Sequence, residues 1–218
     1  MTVELEFGVH PASDYTAAEV YRFTDELLAG SMARVAGSEL IAGSGEAVVS
    51  MDHPSAEFLT DDALIKVYNP ALSPTRAFHM FTLENTGAKV ISEGKEARRL
   101  RWRGPAAIHL LQRGMLLETW SAPGQIARGS AHLAEPGMWR WGGENVGGIA
   151  LRAVEEGIYQ PDTPLAFLTP TWTRTQDSAG VAWSAALDVE LFEAKTFTDV
   201  LTVIARCAKA GIVFDLVD

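Results

Sequence analysis

Between about Ala33 and Trp120 the chain is cut into short apolar runs at roughly ten-residue intervals, each closed by turn chemistry. Ala47-Val48-Val49-Ser50-Met51 stops at Asp52-His53-Pro54, and Ala63 to Tyr68 stops at Asn69-Pro70. Arg76 to Leu83 has two faces, Ala77/His79/Phe81/Leu83 and Arg76/Phe78/Met80/Thr82. Asn85-Thr86-Gly87 is a turn signal ahead of Lys89-Val90-Ile91, and Ser92-Glu93-Gly94-Lys95 is another ahead of Arg98 to Arg103. Successive side chains of a strand point to opposite faces, so each run can lay one face on a core and the other on water. Several strands of this length and spacing make a small antiparallel barrel or a sandwich.

The flanks differ in texture. Val3, Leu5 and Phe7 alternate on a first strand that breaks at His10 to Asp14, and Thr16 to Ala29 is predicted as a helix stopped by Gly30. Pro105 opens a short helix that carries Ile108 and Leu111 on one side and closes at Gly114, after which Met115 to Trp120 returns to strand. Beyond the linker signal Ser121-Ala122-Pro123-Gly124, Asn145 caps a helix through about Glu156, with Ile149, Ala150, Ala153 and Val154 as its buried stripe. Val181 to Glu190 is predicted as a strand carrying Trp183. Thr196 and Asp199 form a near capping box for a last helix with the stripe Val200, Leu201, Ile204, Cys207 and Ala208, ended by Gly211. Ile212 to Val217 is then a strand, and a chain stopping there without a polar tail is expected to continue in a longer polypeptide. The predicted class is therefore α+β. A small antiparallel β-barrel domain with short helices spans 33–120, a strand and helix extension precedes it at 1–32, and a smaller α/β domain follows at 121–218.

Composition narrows the functions. At 218 residues the chain can bury roughly two-thirds of its unfolded surface, so folding requires neither disulfide nor metal. Eighteen basic against 28 acidic residues leave a formal charge of −10, which argues against broad nucleic-acid binding because phosphate contact needs a basic surface. Cys207 is the single cysteine, which excludes an internal disulfide framework and any multi-cysteine metal site. Glu4 and Glu6 stand where a secretion signal would carry its positive end. The longest uncharged stretch, Thr163 to Thr173, contains two prolines and falls well short of the ~20 apolar residues of a membrane span.

No reactive constellation is legible. His10, His53, His79, His109 and His132 lack zincin spacing. His132 and Glu135 form an i, i+3 pair that reads as a solvated loop beside Pro136-Gly137, and His79 reads as a packed histidine with one hydrogen-bond partner. Ser130 lies near His132, but a nucleophile and its base meet in space, and no Gly-x-Ser-x-Gly elbow is present. Gly142-Gly143-Glu144-Asn145-Val146-Gly147-Gly148-Ile149 has the first and sixth glycines of a phosphate loop. Gly148 and Ile149 replace the required lysine and hydroxyl residue, and Glu144 would repel phosphate, so nucleotide binding is rejected. Cys207, on a buried helical stripe, is expected to behave as a small hydrophobe. No catalytic, cofactor or metal residue is assigned, and the protein is expected not to be an enzyme.

Interface chemistry is the better prospect. Arg99, Arg101 and Arg103 would form a positive stripe about 13 Å long on one strand, able to hold nucleic acid, a carboxylate-rich partner or only water, and the net charge of −10 favours acidic residues of a neighbouring subunit. Trp139-Arg140-Trp141 would be costly to leave in water, and Trp and Arg dominate interface hot spots. The same two rings would equally complete the domain's own core, or form a sugar-stacking platform. Two alternatives thus stand beside self-association: a carbohydrate-binding module for the host envelope, and a hydrolase drawing on residues such as Asp61, Asp62, His132 and Glu135.

The stretch from Gly45 to Glu118 resembles the first barrel of tail-tip, or baseplate, hub proteins of tailed bacteriophages, most of all the hub-type minor tail proteins of siphophages infecting actinobacteria. The likeness runs through Gly45 to Ser50, Leu64 to Tyr68, Ala77 to Met80, Leu100 to Pro105 and Met115 to Glu118, with a later echo from Thr198 to Phe214. The resemblance implies a homotrimeric ring at the end of a phage tail, made in the host cytoplasm and carried in the virion. It further implies contacts with a distal tail protein and with other tail-tip and tape-measure proteins, around a lumen through which DNA passes without specific binding. An acidic wall suits such a lumen, because a basic one would retain phosphate. No cofactor and no membrane span are implied.

Overall fold

A computed structural model of the protein describes residues 5–12, 15, 19–23, 29–36, 41–50, 52–84, 89–93, 97–116, 137–158, 165 and 168–216, with the backbone alone at 23, 29–36, 41–42, 47, 89–93 and 97–102. The chain divides into two compact units, one of Met1–Gly37, Ile41–His109 and Asp215–Asp218, the other of Ser38–Leu40 and Leu110–Phe214. It is a mixed helix and strand protein with small antiparallel sheets.

Among its described residues the first unit carries eight strands: β1 (Glu6–His10), β2 (Tyr21–Phe23), β3 (Ala29–Ala36), β4 (Ile41–Ser50), β5 (Leu64–Tyr68), β6 (His79–Thr82), β7 (Lys89–Glu93) and β8 (Ala97–Pro105). They form two four-stranded sheets in the orders β2-β1-β5-β6 and β3-β4-β8-β7. Phe7, Val9, Ile65, Val67 and Phe81 from the first sheet meet Val49 of β4 in a core completed by Ala63 and Leu83. Where β7 leaves off, the end of β8 meets the chain after β6. Glu84 N–H donates to the Arg103 carbonyl at 3.1 Å, and Phe81 bridges to Ala106. Among the described strands the pairing does not close into a ring.

Of the runs expected from alternation, Lys89 to Ile91 and Arg98 to Arg103 lie inside β7 and β8, and Ala47 to Ser50 and Leu64 to Tyr68 lie in β4 and β5, because a two-residue period is set by which side of the local chain meets the core; the run expected from Arg76 to Leu83 is cut down to the four residues of β6. The helix expected over Thr16 to Ala29 is not formed at 21–23 or at Ala29, which are strand. Tyr21 and Phe23, the aromatics that cut across the helical stripe, register against Val9 and Phe7 of β1. The expected extension at 1–32 is consequently part of the unit, with β1 an interior strand between β2 and β5. Pro105 ends β8 instead of opening a helix, and the turn that follows, Ala107–Arg113, is a 3-10 helix with Ile108 and Leu111 buried.

Among its described residues the second unit has two α-helices, α1 (Val146–Gly157) and α2 (Val200–Ala208), and two short ladders. β9 (Met138–Trp141) pairs with β12 (Phe192–Lys195), and β10 (Glu144–Asn145) pairs with β11 (Asp188–Val189). Asn145 caps α1 as its sequence predicts, its side chain accepting from Gly148 N–H at 2.8 Å. Ile149, Ala150, Ala153 and Val154 are buried. In α2 the cap is Asp199 itself, not Thr196. Its carboxylate accepts from Thr202 N–H at 2.8 Å and from the Thr202 hydroxyl at 2.7 Å. Asp199→Ala is expected to lower the stability of this unit by about 1–2 kcal/mol in denaturant melts, and Asp199→Asn to retain most of it.

The strand expected from Val181 to Glu190 is reduced to β11. Trp183 leaves the ladder to lay its indole over Gly147, and Ser184 caps a 3-10 turn at Ala185–Leu187. The expected terminal strand from Ile212 is represented by a single bridge position at Phe214. Of the strand from Met115 to Trp120, residues 117–120 lie outside the described residues, and Met115 bridges to Asp199. Among the described residues no helix is long and apolar enough to cross a membrane.

Candidate functional site

The basic stripe lies on β8, an interior strand of its sheet. By register Arg99, Arg101 and Arg103 stand opposite Ser50, Val48 and Glu46 of β4, and Arg101 also stands opposite Lys89 of β7. Arg103 is exposed; the side chains of Arg99 and Arg101 lie outside the described residues. The stripe therefore belongs to a sheet face. Among the described residues the margins of that sheet are β3 and β7.

Trp139, Arg140 and Trp141 alternate on β9 as a strand requires. Both indoles are within the second unit's core, 0% and 1% exposed, while half-buried Arg140 turns outward to Glu193 at 2.8 Å. Trp139 packs edge-on against Trp141 and Phe192 and donates its indole N–H to the Glu156 carboxylate at 2.7 Å. The guanidinium of buried Arg152 sits 3.8 Å above the Trp141 ring and is clamped by the Glu144 carboxylate, Nε donating at 2.5 Å and Nη2 donating to the second oxygen. Of the readings open to these tryptophans, completion of the chain's own core is the one the structure displays. A sugar platform needs exposed ring faces, which these two rings lack.

The Glu144–Arg152 clamp was not legible in the sequence. Its partners are eight positions apart across a helix start, and the sole signal is an arginine on an otherwise apolar helical face. The clamp also occupies the glycine-rich segment. Asn145 takes the Gly148 N–H that a phosphate would need, and the Glu144 carboxylate lies beside it.

Three of the described histidines, His79, His53 and His10, have structural surroundings. His79 is buried, stacked on Phe81, and its Nε2 donates to the Ser44 carbonyl at 3.3 Å. His53 Nδ1 accepts from Ser55 N–H at 3.0 Å and caps the turn at Pro54–Glu57, which puts its ring proton on Nε2. His10 lies 3.8 Å from Glu19, whose carboxylate accepts from the Tyr68 hydroxyl. Ser130, His132 and Glu135 lie outside the described residues, so of the hydrolase set only Asp61 and Asp62 are placed. Among the described residues no three metal-ligating side chains gather. A shallow cleft of about 230 Å³ in the first unit, lined by Asn69, Leu72, Arg76 and Phe78, is smaller than the ~300–1,000 Å³ of ordinary ligand pockets.

Cys207 is buried on α2, and burial pushes its thiol up to about 12, outweighing the opposing pull of Arg206. The thiolate is the nucleophile, so Cys207 should resist iodoacetamide at pH 8.5 in the folded protein and react once urea unfolds it. The same shift gives a sign for stability. Between the ordinary value of 9.0 and about 12 the unfolded chain holds fewer protons than the folded one, so stability should fall as pH rises through that window.

Among the described residues, strand edges and exposed apolar side chains thus carry more of the functional case than the cleft beside Asn69 and Arg76. No family model matches this chain, and no curated protein matches it.

Proposed function

We propose that the protein is a structural component of a bacteriophage tail tip, a baseplate hub or minor tail protein. In this reading copies associate into a ring, a homotrimer, that joins the tail tube to the distal tip and lets DNA pass. The observation that carries the reading is the eight-residue strand β3 at one margin of a four-stranded sheet, with β7 at the other, neither paired on its outer side among the described residues. An open edge presents a row of backbone donors and acceptors ready to pair with another chain. Pairing one edge with the other edge of a neighbour is heterologous, and heterologous contacts make rings when the rotation closes.

Further support comes from the continuity between the end of β8 and the chain after β6, the join a barrel-type unit requires. The resemblance of Gly45 to Glu118 to phage hubs supplies the biological setting: the virion tail tip, with a distal tail protein and tape-measure proteins as neighbours. The net charge of −10 suits a conduit from which DNA must leave.

Mass spectrometry of purified particles, with antibody labelling in electron micrographs, tests the proposal. The chain is expected in the particle and its label at the tail's distal end. A label on the capsid, or a chain missing from particles, overturns it.

A further inference from the structure

The small cleft of the first unit is walled by the loop between β5 and β6, with Asp215 and Leu216 completing its lining. The loop is fixed by its own bonds. Leu72 and Ser73 N–H both donate to the Asn69 carbonyl at 2.9 Å, Ala71 N–H donates to the Asn69 side-chain oxygen at 3.1 Å, and Arg76 N–H donates to the Ser73 hydroxyl at 3.1 Å. Arg22 of β2 anchors it, Nη2 donating to the Pro74 carbonyl at 2.7 Å, and Phe78 N–H donates to the Val67 carbonyl of β5 at 3.0 Å. Walls set before a ligand arrives leave little ordering cost to binding.

Three kinds of group line this cleft. Leu72, Phe78 and Leu216 are apolar; Leu72 is 80% exposed, and the other two are half-buried. Arg76 is exposed, and among the described residues its guanidinium has neither hydrogen-bond nor ion-pair partner. The Asn69 amide N–H groups and the Ser73 hydroxyl proton have no acceptor there either, so donors are in excess on the loop. Exposed Asp215 adds a carboxylate to the same lining.

We propose that this cleft binds a free α-amino acid with a small aliphatic side chain, of valine or leucine size. The ligand's carboxylate faces Arg76, with Asn69 and Ser73 as further donors, its ammonium faces Asp215, and its side chain lies on the apolar lining. Charge selects the class. A simple carboxylic acid would set a like charge before Asp215, and a simple amine would do so before Arg76. An internal peptide segment has neither charge on its backbone. Size selects the side chain. The cleft of about 230 Å³ takes roughly eight non-hydrogen atoms at the ~30 Å³ share of a water molecule, close to leucine and well short of tryptophan. The proposal stands apart from the tail-tip reading, since the cleft is complete within one unit of one chain.

Isotope-edited NMR titration of the whole chain with L-leucine tests it. The amide resonances of Leu72, Ser73 and Phe78 are expected to shift saturably, with a dissociation constant on the order of 1 mM. Arg76→Gln and Asp215→Asn should each weaken binding about tenfold or more. N-acetylleucine and leucinamide, which each lack one of the two charges, should bind the wild-type chain about tenfold more weakly as well, and tryptophan should not bind in the cleft. Both substituted positions are exposed, so unchanged melting temperatures are expected; the ligand analogues decide the matter on the wild-type chain if a variant fails to fold. The absence of a saturable shift with leucine overturns the proposal. So does an analogue that binds as tightly as leucine, or leucine binding that neither substitution weakens.

Discussion

Gly104→Ala is expected to unfold the first unit or to lower its stability by about 3 kcal/mol or more. A Cβ on Gly104 would fall inside the van der Waals shell of the Thr82 carbonyl oxygen and 3.2 Å from Leu83 Cα. Both obstacles are backbone, so no side-chain rotation relieves the overlap. The strand partner of Gly104 is Gly45, where an added Cβ would enter the Phe81 ring. The two glycines form the slot through which the chain after β6 crosses to reach the Arg103 carbonyl. Gly45→Ala should be damaging too, but less so, since a ring can tilt where a carbonyl cannot. Thermal melts followed by near-ultraviolet circular dichroism check both. An unchanged midpoint for Gly104→Ala would show that the strands do not cross this closely.

The second large effect belongs to the clamp under Trp141. Glu144→Gln keeps the shape of the side chain but leaves a buried guanidinium without its counter-charge, at an expected cost of about 3–5 kcal/mol. Arg152→Met alone strands the carboxylate instead, though Glu144 is closer to solvent and should lose less. The double variant Glu144→Gln/Arg152→Met should recover much of the loss, because removing both charges also removes the desolvation that each imposes. Urea unfolding of the four proteins measures the coupling. Additive losses would mean that the two groups act independently.

Legibility followed the range of the interaction. Alternation located β4 to β8 because the choice between core and water is made residue by residue along one strand. The Asn145 cap was readable for the same reason: its donor lies three residues away, on Gly148. Tyr21 and Phe23 were misleading because the partners that make them strand, Val9 and Phe7, sit on another segment. The Val181 to Glu190 segment failed likewise, once Trp183 found the flat face offered by Gly147. Trp139 and Trp141 could be singled out as costly in water, yet whether their cover came from this chain or a neighbour depended on Phe192, Arg152 and Glu156 arriving around them.

The one-dimensional chain therefore determined which residues seek shelter, which residues cap α1 and α2, and the acidity of the whole, all properties of single side chains and near neighbours. Tertiary structure alone decided which apolar groups were satisfied within the chain and which were left outside. Burial is a property of what surrounds a side chain, so the same aromatic chemistry is core at Trp139 and exposed at Phe197.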